Sequence, residues 1–153
     1  MGKPGSPTAW REDSGVAFGE VGRTLTQVSR SFPHNAGQIP VARRFVRDVL
    51  DSWGLLDADQ LVQDTLLVAS ELVTNAVLHG KGEVEVSMSM HGEGVRLEVC
   101  DQGPLWVPRR PAPSTVPALT GRGLRIVALA ASAWGTDRSP GGGTIVWAEL
   151  HGA

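Results

Sequence analysis

The hydrophobic pattern is densest between Leu66 and Gly80, LLVASELVTNAVLHG, and the rest of the chain is read around it. Leu66, Leu67, Ala69, Leu72, Val73, Ala76, Val77 and Leu78 put apolar side chains on nearly every turn, which predicts a buried helix. Its larger polar residues, Glu71, Asn75 and His79, fall four apart. At roughly 3.6 residues per turn they form one line along an otherwise apolar surface. An unpaired polar group in such a place costs about 1–3 kcal/mol, so the line is read as facing a ligand.

The flanking pattern predicts the other elements in order. Thr24–Phe32 alternates imperfectly and reads as an edge strand ended by Pro33. Asn35–Pro40 is a turn, and Val41–Trp53 an amphipathic helix with Pro40 in its first turn, a solvated face of arginines, and a stop near Gly54. Asp57 or Asp59 is expected to cap the next helix, which runs from about Gln60 to His79. Glu83–Met90 and Val95–Asp101 alternate cleanly as an antiparallel strand pair, with His91–Gly94 as the hairpin loop. The segment from Gln102 to Thr120 carries five prolines and is read as a long loop. A helix from about Leu124 to Ala133, a short strand from Trp134 to Asp137, a turn, and a last strand from Thr144 to Leu150 complete the order. This order predicts an α+β, two-layer sandwich: a mostly antiparallel mixed sheet with helices on one face.

Composition narrows the classes. At 153 residues, 41% apolar and 20% charged, the chain has room for one core, expected over residues 23–153 behind a polar tail at 1–22. A net charge of −2 with scattered basic residues argues against nucleic-acid binding by bulk electrostatics. The single Cys100 excludes an intrachain disulfide. No apolar stretch is read as long enough to span a bilayer, and the N-terminus lacks a signal-peptide core, which makes the cytoplasm the default location.

Three groups of residues carry candidate chemistry. Glu71 and Asn75 place a carboxylate one turn from an amide, so a proton acceptor sits beside an oxygen that can ligate a hard cation such as Mg²⁺. A Glu–Arg pair and an Asn bonded to a neighbouring carbonyl would explain the same two residues without a ligand. Asp101 ends a strand just before Gln102-Gly103, where a glycine admits close backbone approach; a plain turn reads the same way. Gly121-Arg122-Gly123 opens a helix, where free N–H groups and the dipole favour phosphate, unless it is simply a hinge.

Taken together and in this order, the segments resemble the GHKL ATP-binding family, and within it the small bacterial anti-sigma-factor serine kinases and their orphan relatives. SELVTNAVLHG is similar to that family's N box, LEVCDQG to its first glycine box, GRGLRIVALAASAWG to its second, and GGGTIVWAEL to its closing strands; the resemblance covers about Thr24 to Leu150. It implies ATP and Mg²⁺ as cofactors, Glu71 as general base, Asn75 as Mg²⁺ ligand and Asp101 as partner of the adenine amino group. Gly103 would admit the adenine, residues 104–120 would form a lid, and Gly121, Arg122, Gly123 and Leu124 would hold the phosphates. Two departures stand out: Leu105 occupies the place of a second glycine, and Gly141–Gly143 lacks a lysine often found there. Phosphate charge would then fall to Arg122, Arg125 or Arg109.

Two functions follow from the resemblance. One is a Mg²⁺-dependent protein serine/threonine kinase that phosphorylates an anti-sigma-factor antagonist and sequesters a sigma factor. The other is a nucleotide-sensing module that acts by protein contacts alone. A homodimer is compatible with either. A sensor histidine kinase and a gyrase-type ATPase are not expected, since neither a phosphoacceptor helix pair nor a following domain is seen in the sequence.

Overall fold

The computed structural model describes residues 27–104 and 119–152. The element order is β1 (Gln27–Phe32), a 3-10 turn (Ala36–Gln38), α1 (Ile39–Ser52), α2 (Asp59–His79), β2 (Val84–His91), β3 (Gly94–Asp101), α3 (Leu119–Ala130), β4 (Ala133–Arg138) and β5 (Thr144–His151). The expected tail at 1–22, the start of the first strand at Thr24 and most of the expected lid, including Leu105 and Arg109, lie outside the described residues.

The five strands form one sheet in the order β1-β2-β3-β5-β4, and every pairing among the described residues is antiparallel. The expected mixed character therefore does not appear as a parallel ladder. It survives only in the connection: β3 and β4 run in the same direction, joined through α3, with β5 inserted between them. β1 lies at a sheet edge, as its weak alternation predicts.

One face of the sheet is covered by helices. Val84, Val86 and Met88 of β2, Val95, Leu97 and Val99 of β3, and Val146, Ala148 and Leu150 of β5 alternate inward and join the buried sides of α1 and α2 in one core. Phe32 and Phe45 meet edge to face at 5.8 Å and tie β1 to α1. On the other face Arg96 pairs with Glu98 and Glu149 at 2.9 and 2.8 Å and lies 4.3 Å over the Trp147 ring, joining β3 to β5.

Local chemistry explains most element ends. α1 stops in a Schellman arrangement: Gly54 takes φ 72 and donates to the Asp51 carbonyl, while Leu55 N–H reaches the Leu50 carbonyl. The hairpin is tighter than expected, with only Gly92-Glu93 between the paired His91 and Gly94. The expected Asp cap on α2 is not made. Ala58 occupies the N-cap without a side-chain bond, and Asp59 is the first helical residue, where its charge still complements the dipole.

α2 is the central element, touching α1, α3, β2, β3 and β5. By length and composition alone this 21-residue helix would pass for a membrane span, contrary to the reading of the apolar stretches. Here ten of its residues are buried against sheet and helices. Its apolar surface is not wholly core: Leu67 is 41% and Leu78 59% exposed, so the expected all-round burial is corrected to one broad face. Leu72→Ala is expected to lower unfolding free energy by about 2–5 kcal/mol, and Leu67→Ala by less than about 1 kcal/mol, as measured by chemical denaturation.

Candidate functional site

The site is built where the C-terminal half of α2 meets the end of β3. Along α2 the expected polar line is graded in depth: Glu71 is half-buried, Asn75 is 5% exposed and His79 is exposed at the last turn. Among the described residues, the buried Asn75 Nδ2 has no hydrogen-bond partner. A buried N–H donor left without a partner costs on the order of 1–3 kcal/mol, a cost usually offset by a ligand or an ordered water.

Asp101 is 2% exposed at the last position of β3. Its Oδ1 accepts the Gly103 N–H at 2.8 Å and, more weakly, the Lys81 N–H at 3.3 Å. Gln102 N–H donates to the Lys81 carbonyl at 2.8 Å, so the turn leaving α2 and the turn leaving β3 are sewn together. Gly80 is required for this fit, because a Cβ there would run into both the Asp101 carboxyl group and the Ala76 carbonyl. Gly103 likewise lies close against Asp101 Oδ1.

Thr144 carries no motif of its own in the sequence and joins the site through register. It pairs with Asp101 across β3 and β5, is fully buried, and donates its hydroxyl to the Pro104 carbonyl at 3.2 Å. The glycines at 141–143 immediately before it are the one signal that would have drawn attention there.

The third group is placed differently from expectation. α3 begins at Leu119, so Gly121, Arg122 and Gly123 lie within its first turns and do not precede it. Gly121 keeps a first-turn N–H for an anion, whereas the Gly123 N–H is committed to helix bonding in this conformation. The helix also ends at Ala130 instead of Ala133, as β4 begins there. Leu124 is buried and, like Gly123, lies where the helix takes up the backbone N–H; Arg125 is exposed. α3 packs on α2, bringing this segment beside the helix that carries Glu71 and Asn75.

The donor set suits a small hard cation held partly by a nucleotide. Among the described residues no three His, Cys, Asp or Glu side chains cluster to hold a metal. An ion here would rest on the Asn75 oxygen and on phosphate oxygens, a sharing that Mg²⁺ tolerates well.

Residues 32–149 match the family model of the histidine kinase-like ATPase domain. The chain belongs to this family. The ATPase domain thus carries an adenine-nucleotide-binding fold, and the five-stranded sheet with helices on one face is its expected architecture. Among solved structures the domain is similar to the RsbU and RsbW domains of Rv1364c from Mycobacterium tuberculosis, with a TM-score of 0.57 and 20% identity. That match covers 82% of this chain and 31% of the other, so the chain spans about a third of its length; the likeness is one of fold. No curated protein sequence matches the chain at a significant level.

The Asp101 network makes a direct prediction. Asp101→Asn retains an oxygen for both N–H donors and should cost less than about 1 kcal/mol, whereas Asp101→Ala strands both and should cost about 1–3 kcal/mol in thermal or chemical unfolding.

Proposed function

We propose that this ATPase domain is a Mg²⁺-ATP-dependent protein serine/threonine kinase of the anti-sigma-factor type, acting in the cytoplasm on a small anti-sigma-factor antagonist and so controlling sigma-factor availability. The observation that carries the reading is the buried Asn75 side chain, whose Nδ2 has no hydrogen-bond partner among the described residues, one helical turn from the half-buried Glu71 carboxylate. Family membership supports the nucleotide, and the fold likeness to the RsbU and RsbW domains of Rv1364c supports the class of partner.

In this reading Asp101 and Gly103 receive the adenine, and Thr144 backs them from β5. Asn75 would hold Mg²⁺ through its side-chain oxygen, and that ion would supply charge neutralisation for the phosphates. Glu71 accepts the proton of the attacking serine hydroxyl. Gly121 would meet the phosphates through its first-turn N–H, and Arg122, Gly123 and Leu124 would join it only as those turns of α3 open. Positioning and charge neutralisation do most of the work in phosphoryl transfer, so one base, one metal ligand and a backbone cradle suffice. Among the described residues β1 lies at a sheet edge, through which two copies of the chain can meet as a homodimer.

A second reading is favoured by one specific residue. Leu105 replaces a glycine at the start of the segment between Pro104 and α3, which fits a nucleotide-sensing module that binds a partner without phosphoryl transfer. Incubation with labelled ATP and a candidate antagonist separates the two, since phosphoserine forms only under the kinase reading. Glu71→Ala should keep ATP affinity within about threefold and lower transfer by at least about 10²-fold. Asn75→Ala should weaken Mg²⁺-dependent ATP affinity by about tenfold or more, as read by calorimetry with and without Mg²⁺; equal affinities in both conditions would remove Asn75 from the ligand role.

A further inference from the structure

α1 and α2 pack side by side and leave an open groove of about 500 Å³ between them on the solvent side. Its floor is apolar: Val62 and Leu66 are buried, Leu56 is half-buried and Leu67 is 41% exposed. Arg43 and Arg47 of α1 form one wall, four residues apart and both exposed. Among the described residues neither forms an ion pair. The carboxylate lining the groove, Asp59, is the first residue of α2, where the helix dipole already favours its charge, and Asp48 and Asp51 of α1 lie outside the lining. Two unpaired guanidinium groups against that one carboxylate leave the groove positive beside uncovered apolar surface.

The groove leads into the candidate site. Asp59, Gln63 and Leu67 follow one another at four-residue steps along α2, and the next two steps are Glu71 and Asn75. Each step turns the side chain by only about 40°, so groove and candidate base occupy adjoining strips of one side of the helix, with Glu71 about 6 Å beyond Leu67 along the axis. From Asp59 to Leu67 the groove runs about 12 Å, the length of roughly two helical turns. Apolar anchors at three- and four-residue spacing are what a docked amphipathic helix presents to such a floor. Carboxylates one turn apart on that helix match two arginines one turn apart on α1, whose guanidinium forks pair with carboxylates. A neutral or basic helix would leave both guanidinium groups beside covered apolar surface without partners.

We propose that the α1–α2 groove is the docking site for the phosphoacceptor protein: it takes an acidic amphipathic helix of that partner, pairs its carboxylates with Arg43 and Arg47, seats its apolar side chains on Leu56, Val62, Leu66 and Leu67, and so brings the acceptor hydroxyl to Glu71. This rests on the reading of Glu71 as the base. The apolar anchors supply most of the affinity, while the charges speed encounter and reject basic partners. The sequence reads the α1 arginines as a solvated face; the structure sets two of them beside leucines of another helix, which gives that face a partner of definite charge.

The test selects binders to the wild-type protein, with ATP and Mg²⁺ present, from a displayed library of random peptides of about 16 residues, enough for roughly four helical turns. We expect a recovered class with net negative charge and apolar residues at helical spacing. Its affinity, read by fluorescence anisotropy, should fall about tenfold or more in Arg43→Glu/Arg47→Glu and in Leu67→Asp, and should weaken as salt is raised. Both variants change surface positions and should keep the wild-type ATP affinity. Failure to recover that class, or its undiminished binding to the variants, overturns the proposal. A dimer seen by sedimentation for the wild type and lost in both variants assigns the groove to a second copy and overturns it too. With the candidate antagonist and labelled ATP, the double variant should raise KM for the protein substrate about tenfold and keep kcat within about threefold. A fall in kcat at unchanged KM contradicts a docking role. If the wild type forms no phosphoserine, the kinase reading fails, while the peptide affinities still decide whether the groove docks an acidic helix.

Discussion

The arrangement depends on how the end of one helix is fastened to the end of one strand. Asp101, buried at the end of β3, receives N–H groups from Gly103 on its own turn and from Lys81 on the turn leaving α2. Those donors help to satisfy a carboxylate so enclosed, and they reach it only because glycine at 80 lets the backbone come close. The strand end and the helix end thereby become one rigid body. The same bonds that meet the demands of burial also fix the orientation of the carboxylate.

α2 shows the opposite treatment of a polar group. Its outward leucines at 67 and 78 and its buried Asn75 invert the usual preference, with apolar side chains toward solvent and an amide inside. The fold tolerates an unsatisfied Nδ2 there, at a cost the surrounding packing can absorb. Local violations of consistency of this kind are where function is expected, since a packing position would have been filled by an apolar side chain at no such cost.

α3 adds a conformational element. Its start at Leu119 draws the Gly-Arg-Gly segment into the helix, so the amides that phosphate would need are partly engaged in helix bonding. Two glycines weaken a helix by up to about 1 kcal/mol each relative to alanine, which keeps unwinding of this first turn inexpensive.

Much of this was legible in the residues themselves. The strict alternation of Val84–Met90 and Val95–Asp101 leaves no other way to bury one face, and the four-residue spacing of Glu71, Asn75 and His79 determines that they share a line on any helix. The order of segments was enough to indicate the family. What the sequence could not decide was whatever depends on partners far along the chain. The depth of Asn75 against the exposure of Leu67 is set by where α1, α3 and the sheet happen to cover α2. The missing Asp cap, the tighter hairpin and the earlier start of α3 were settled by competition between local preference and packing. Thr144 enters only through register, because hydrogen bonds are formed by proximity in space, and chain order alone carries no record of which carbonyl a hydroxyl 40 residues away will meet.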